Sequence, residues 1–364
     1  MKRGLCEICN PKQWKTISSD MLKSEGYPVY GANGVIGYFS EYNHKKATLL
    51  ITCRGATCGA LNICEPFSYV NGNAMALDDL SPEVDLKYLY YYLLTRGLSD
   101  TITGSAQPQI VRQSLQKVEV FYPQLDEQRR IAAVLDRVSG LIAKRREQLD
   151  KLDELVKARF VEMFGEPDDN PMNWKVSELG NHLEIVGGYA FKSEGFVDSG
   201  VPVLRIGNIN SGRFLPVNMV YWPDDPVLVR YKMYPGDLVM SLTGTVGKDD
   251  YGNVCILSDE YPEYYLNQRN AKLAIRATLN KYYLSELLKF SKIKKRLTGI
   301  SRGVRQANIS NRDILALCVP IPPIELQGQF ATFVKQTQKS KLTIQQSLDK
   351  LEVLKKALMQ QYFG

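Results

Sequence analysis

Acid–base and triad chemistry call for histidine, and this chain has two, His44 and His182. Two imidazoles leave little room for His-based catalysis or a His-rich metal site. Cys6-Glu-Ile-Cys9 has the spacing of a zinc-ligand pair, with Cys53, Cys58 and Cys64 as further ligands. No second close pair follows, so small buried thiols on strands compete with a metal set for these positions. No G-x-x-x-x-G-K-[ST] loop occurs, which argues against an ATP motor. Asn10-Pro-Lys-Gln13 and Asn170-Pro-Met-Asn173 begin like Asn-Pro-Pro-Tyr, the run that holds an extruded adenine for methylation. Both lack the second proline and the aromatic that stacks the base. No spacing of Asp and Glu singles out a catalytic pair. The chain is expected to do no covalent chemistry alone, with no catalytic residue, no cofactor and no metal of its own.

What remains is binding chemistry. Leu287 to Arg312 holds eight basic residues and no acid: Lys289, Lys292, Lys294, Lys295, Arg296, Arg302, Arg305 and Arg312. The run passes through Gly299 into a polar loop ending Gln306-Ala-Asn308. Lys and Arg would hold phosphates there, while Arg, Gln and Asn suit base edges. A solvated basic helix face is the alternative. Gly104-Ser-Ala-Gln-Pro-Gln-Ile-Val-Arg112 occupies the corresponding place earlier in the chain, with Gln107, Gln109 and Arg112 as candidates. A turn and helix cap is their other reading. Lys45, Lys46 and Arg54 are weaker candidates, as are Thr243 and Lys248 of Thr243-Gly-Thr-Val-Gly-Lys248, where glycines would let backbone approach phosphate or simply turn the chain. Gly187-Gly-Tyr-Ala-Phe-Lys192 suits DNA contact or an ordinary aromatic core.

These segments need elements to carry them. At 364 residues two or three domains are expected, and 44% hydrophobic with 23% charged residues is an ordinary globular composition. Seven scattered cysteines do not make a secreted disulfide framework, and no apolar run approaches the ~20 residues of a membrane helix. A soluble, cytoplasmic protein with no membrane partner is expected. The net charge of +7 is spread in small excesses over every segment, so nucleic-acid binding would come from folded patches and not from a tail.

The organising feature is an internal repeat. Pro123-Gln-Leu-Asp-Glu-Gln128 matches Pro322-Pro-Ile-Glu-Leu-Gln327, Leu149–Leu155 matches Leu348–Leu354, and Phe164-Gly165 matches Phe363-Gly364, all at one offset of 199 residues. Further upstream the offset drifts: Lys87 pairs with Lys281, Asn71-Gly-Asn-Ala74 resembles the run Asn267 to Ala271, and Pro28-Val29 matches Pro202-Val203. In the matched part apolar residues fall on a 4-3 pattern. It runs Ile131, Leu135, Val138, Ile142, Arg145, Leu149, Leu152, Val156, Arg159, Met163 in one copy and Phe330, Val334, Thr337, Lys341, Ile344, Leu348, Leu351, Lys355, Leu358, Tyr362 in the other. This is a heptad seam on a helix of roughly 50 Å, with Gly140 as the one interior glycine and a glycine after each end. The two helices are expected to pair with each other; packing of each on its own domain is the alternative. Residues 1–122 and 166–321 read as mixed α/β globules, and 123–165 and 322–364 as spacer helices. Ala47–Thr52 and Asp237–Leu242 read as strands, Leu86–Leu94 and Lys281–Leu288 as helices.

This order of globule, helix, globule, helix resembles the specificity subunit of Type I restriction–modification systems. The resemblance rests on the duplicated Pro123–Gly165 and Pro322–Gly364 segments, on Gly104–Ile110, and on the opening runs Trp14-Lys-Thr-Ile-Ser18 and Tyr27-Pro-Val-Tyr-Gly-Ala-Asn-Gly34. It implies two target recognition domains, each reading one half of a split double-stranded DNA site. It implies an antiparallel coiled coil that keeps them apart and docks modification subunits carrying S-adenosylmethionine, which methylate adenine. The restriction and motor subunit joins that assembly. Tandem copies suit a pseudo-two-fold arrangement, and a stem of this length suits half-sites one helical turn, ~34–36 Å, apart. A helical scaffold whose globules bind protein ligands is the rival reading, and a fusion of recognition to methyl transfer a third.

Overall fold

The computed structural model describes residues 1–104, 107–209, 212–248, 250–299 and 306–364, without the side chain of Gln306. The chain forms two compact units, Met1–Glu147 with Gln345–Gly364, and Gln148–Ile344.

In the first unit an antiparallel sheet has the order Asn10–Gln13, Ala74–Asp78, Thr48–Thr52, Leu61–Cys64. Thr48–Thr52 is a continuous apolar run because both its faces are covered. Leu49 and Ile51 enter one hydrophobic cluster and Leu50 the other, as the period of two requires. A second sheet joins Gly34–Phe39 to Tyr27–Gly31 and adds Tyr69–Val70 in parallel. Helix Leu86–Arg96 starts at Asp85, whose carboxylate accepts from the Lys87 and Tyr88 N–H groups (3.0 and 2.9 Å). It buries Tyr88, Tyr91 and Tyr92.

The second unit repeats this plan. Its antiparallel sheet has the order Leu183–Gly187, Asn270–Ile275, Leu238–Ser241, Val254–Ile256. Leu238 and Met240 enter one cluster and Val239 another. The second sheet carries the matching parallel pair, Val201–Leu204 beside Tyr264–Leu266. Helix Lys281–Leu287 is capped by Asn280, which accepts from the Tyr282 N–H (2.9 Å).

Leu125–Phe164 and Ile324–Phe363 are single helices of 40 residues each, about 60 Å long at 1.5 Å per residue. In the first unit Ile131, Ala132 and Leu135 share a cluster with Leu358, Met359, Tyr362 and Phe363. In the second, Val156, Phe160 and Phe164 share one with Phe330 and Val334. Within each unit the start of one helix therefore lies against the end of the other, and the pairing is antiparallel. All twenty seam positions are buried or half-buried: Leu135, Val138, Ile142, Val156, Val334 and Leu348 fully, Leu149, Leu152, Ile344, Leu351 and Leu358 in part. Off-seam Leu141, Leu155, Leu342, Val353 and Leu354 are exposed. The polar interruptions have partners. Lys341 pairs with Asp153, and the Lys355 ammonium lies 5.8 Å from the centre of the Tyr91 ring. Arg146 and Glu352 bridge the helices at 2.7 Å. The second helix begins early enough to include Gly328, so Gly140 is not the one interior glycine. Gly165 ends the first helix at φ 77°, its N–H bonded to the Val161 carbonyl. Among the described residues no helix is long and apolar enough to cross a membrane.

Candidate nucleic-acid interface

The repeat is sharpest where the central strand of each main sheet ends. In the first unit Cys53 follows that strand. Its N–H donates to the Asn73 carbonyl (3.2 Å), and its own carbonyl accepts from the Ile110 N–H (3.0 Å). In the second unit Leu242 makes the same two bonds, to the Arg269 carbonyl (2.8 Å) and from the Ile309 N–H (2.9 Å). One residue thus ties three chain segments together in each unit: the end of the central strand, a turn between two strands, and the loop that leads toward the stem helix.

The next residue along makes a cross-strand pair in both places. Arg54 faces Gln109 in the first unit and Thr243 faces Asn308 in the second. Candidates far apart in sequence are thereby brought together: Gln107, Gln109 and Arg54 in one unit, and Thr243, Gln306 and Asn308 in the other. Arg54, Gln107, Gln109 and Asn308 are exposed, and Thr243 is half-buried, its buried hydroxyl oxygen without a partner among the described residues. Lys248 is exposed in the turn beyond the ribbon Thr243–Thr245. Asp250 fastens that turn, accepting from the Thr245 N–H (2.8 Å) and hydroxyl (2.9 Å), and these bonds hold its carboxyl below the usual range.

The turn is a further element, which the sequence reading registered as a repeat but not as a site. Asn71–Ala74 and Asn267–Asn270 are each closed by an N–H to carbonyl bond of 2.9 Å between first and fourth residues. Asn73 and Arg269 hold the third position, and both are exposed. Arg269 also lines an open cleft of about 520 Å³, with Phe191, Ser193, Arg205 and Asn208 among its other walls.

Other candidates lie elsewhere or point elsewhere. Lys45 and Lys46 are exposed but precede strand Thr48–Thr52, so they sit at the opposite end of it from Arg54, about 25 Å away at the rise of an extended chain. Arg112 opens a short helix and lies near enough to Cys6 and Cys9 to act on their thiols. On helix Ser291–Thr298, Lys292 and Lys295 face solvent with no ion pair among the described residues. Lys294 is turned inward at 9% exposure, its ammonium donating to the Asn253 side-chain carbonyl (2.7 Å). Buried Phe290 and Leu297 set that phase: Lys294 lies four residues after one and three before the other, and so shares their face. Arg296 pairs with Asp168. Arg302 and Arg305 lie outside the described residues.

Tyr189 and Phe191 belong to an aromatic cluster with Tyr231, Trp222 and Tyr265. Cys9 is buried, its thiol donating to the Leu5 carbonyl (3.2 Å), and burial pushes its pKa up to about 12, which disfavours the thiolate a metal needs. Among the described residues no group of three or more His, Cys, Asp or Glu is placed to hold a metal ion. Burial, ahead of the charges of Lys175 and Arg276, lowers the His182 pKa.

A second missed pair anchors the platforms to the stems. Gln128 is fully buried. Its Oε1 accepts from the Asp85 N–H (2.9 Å), and its Nε2 donates to the carbonyls of Glu83 (2.8 Å) and Pro123 (2.9 Å). Gln327 accepts from the Asn280 N–H (2.8 Å) and donates to the Pro322 carbonyl (2.7 Å). Asp85 and Asn280 are the caps of the two globule helices. The signal was present as the identity of Gln128 and Gln327 at the 199-residue offset.

Known proteins share this plan. The chain is 24% identical to the Type I restriction enzyme MjaVIII specificity subunit of Methanocaldococcus jannaschii, over 92% of this chain and 85% of that one. It is 22% identical to the putative type I restriction enzyme specificity subunit S.HindORF215P of Haemophilus influenzae, over 95% and 91%. Its fold is that of a crystallised Type I restriction–modification S subunit from M. genitalium, with TM-score 0.66 and 18% identity over 99% of this chain and 94% of the other. A family model described as "Type I restriction modification DNA specificity domain" matches residues 1–153 and again 171–355. The chain, with its platform built twice on one stem plan, belongs to the Type I restriction–modification DNA specificity family.

Proposed function

We propose that this chain is the DNA-specificity subunit of a Type I restriction–modification complex, each unit reading one half of a split, non-palindromic target. The observation that carries the reading is the three-segment platform, built with equivalent bonds in both units and dressed with different side chains. Equivalent bonds hold two reading surfaces in the same way. Unlike side chains give them unlike bases to recognise. Arg54, Gln107 and Gln109 would face DNA in one unit, and Thr243, Lys248 and Asn308 in the other, with Lys292 and Lys295 on phosphates.

The chain itself does no covalent chemistry in this proposal. Methyl transfer to adenine belongs to modification subunits that carry S-adenosylmethionine and dock on the stem helices, and the restriction and motor subunit joins through them. The off-seam Leu342 and Val353, 60% and 70% exposed, are apolar surface suited to such docking. The complex would work on chromosomal DNA in the cytoplasm.

The test is to map adenine methylation in host DNA with and without the gene. One split motif that vanishes on deletion is expected. An unchanged methylome would remove the proposal. Binding of the assembled complex to duplex DNA should also weaken steeply with salt; a salt-independent association would favour the scaffold reading.

A further inference from the structure

We infer that the third residue of the platform turn is a specificity-determining position in each unit, with Arg269 reading a guanine in one half-site and Asn73 an adenine in the other. The inference rests on the DNA-specificity reading above and deepens it.

Three observations carry it. The first is rigidity. Beyond its closing bond, each turn is held by its leading asparagine, the Asn71 Oδ1 accepting from the Gly72 N–H (2.8 Å) and the Asn267 Oδ1 from the Arg269 N–H (3.1 Å). The carbonyl of the third residue is fixed by Cys53 in one unit and Leu242 in the other. Close packing backs both turns. A Cβ on Gly72 would come within 2.7 Å of the Trp14 carbonyl oxygen, and one on Gly188 within 2.2 Å of the Asn267 carbonyl carbon. A side chain on such a support is preorganised for recognition.

The second is availability. Asn73 and Arg269 are exposed, and their side chains make no hydrogen bond or ion pair among the described residues. They stand beside the cross-strand pairs Arg54–Gln109 and Thr243–Asn308, because the residue that holds each turn immediately precedes Arg54 or Thr243.

The third is the pattern of difference. The bond that closes the turn and the bond that fixes the third residue's carbonyl are common to both units, while the exposed residue changes from Asn to Arg. A structural position would keep its residue with its bonds. The two residues present are those whose geometry matches a base edge in a bidentate way: Arg with guanine O6 and N7, Asn with adenine N6 and N7.

The experiment uses the subunit assembled with its modification partners and a randomised duplex pool from which bound sequences are recovered. The unaltered complex should select a split motif. Selection of no motif would overturn both the function and this inference. Given a motif, Arg269→Ala should erase preference at one guanine position of one half-site, by about 5- to 150-fold, and leave the other half-site intact. Asn73→Ala should do the same at an adenine of the other half. Arg269→Gln should move the preferred base from guanine to adenine, a gain that misfolding cannot mimic. An unchanged motif in all three variants overturns the inference while the function stands. Uniform weakening over all sequences with a shallower salt slope makes Arg269 a phosphate contact and overturns it as well.

Discussion

The platform of the second unit is the more strongly built of the two. Thr243–Thr245 and Gln306–Asn308 form a ribbon with three register pairs. In the first unit the same segments meet in one bridge, Arg54 opposite Gln109. The chemical difference sits one residue away. Pro108 stands where the second unit has Ala307, at the repeat offset of 199. The Gly55 N–H still reaches the Pro108 carbonyl (3.2 Å), but proline has no N–H to return a bond, so the ladder stops. The charges differ too: the basic helix Ser291–Thr298 precedes the second platform, and the first has no basic counterpart. Bonds that hold segments together persist between the units, while those that only extend a surface vary. The lesson is that position is held in common and grip is set locally.

The largest expected effect tests the stems on which that common position depends. Leu348→Asp would bury a carboxylate in the seam, where Leu348 is 6% exposed, and should cost about 3–5 kcal/mol. Val353→Asp, on the exposed side of the same helix, should change stability by less than about 0.5 kcal/mol. Denaturant melts of the two variants decide; equal losses would mean that the seam is misassigned.

Next come the anchors. Gln128→Ala strips three hydrogen bonds from a buried site and leaves the Asp85 N–H without its acceptor. Gln327→Ala does the same to Asn280. Each should destabilise its unit by about 2–3 kcal/mol. If hydrogen exchange shows one loosening helix Leu86–Arg96 and the other leaving Lys281–Leu287 untouched, the equivalence of the units fails at its root.

A third pair of variants separates grip from support within the basic helix. Lys294→Ala should cost about 2 kcal/mol of stability, since it removes a charge-assisted bond to Asn253. Replacing Lys292 and Lys295 together should leave the melt unchanged, weaken binding to all sequences and reduce the salt slope by up to about two. A reversed pattern would put Lys294 on the DNA and its neighbours in the fold.

The stems were legible in the sequence because one seam had to be apolar twice at a fixed offset, and a 4-3 pattern held over ten positions is the mark of a long helix with one buried stripe. The central strands were legible for a like reason: Leu49-Leu-Ile51 and Leu238-Val-Met240 are buried on both faces. The platform was legible only in pieces. Gln109 and Asn308 sat in loops flagged as polar, yet nothing in sequence said that Arg54 and Thr243 lie opposite them, since cross-strand pairing is a long-range fact. Charge misled where the direction of a side chain matters. Lys294 reads as one of four cations in five residues until Phe290 and Leu297 fix which face is inside. Lys45 and Lys46 stand with Arg54 as candidates of one kind until the strand between them places them at its opposite ends. Asn73 and Arg269 gave no signal beyond a repeated turn, because a reading position is one whose residue type differs between copies.

The smallest effect bears most directly on the comparison between the platforms. If the missing proline N–H is the reason the first ribbon is short, the two ribbons should be exchangeable by single substitutions. Ala307→Pro removes the N–H opposite Gly244 and should cost about 1 kcal/mol for the lost bond. It should also raise the exchange rate of the amides in Thr243–Thr245. Pro108→Ala supplies the missing donor, and Gly55 is in register to accept it. Its gain is opposed by the looser unfolded chain that alanine allows. The net change in stability should therefore stay within a few tenths of a kcal/mol, near the resolution of a melt. Protection of the segment from Arg54 to Gly55 is the better readout, because it reports the local ladder and is blind to the unfolded-chain term in the slow-exchanging background. Increased protection after Pro108→Ala, with decreased protection after Ala307→Pro, would tie ribbon length to that one residue. If neither changes, ribbon length does not depend on that proline, and the proposed origin of the difference between the platforms falls.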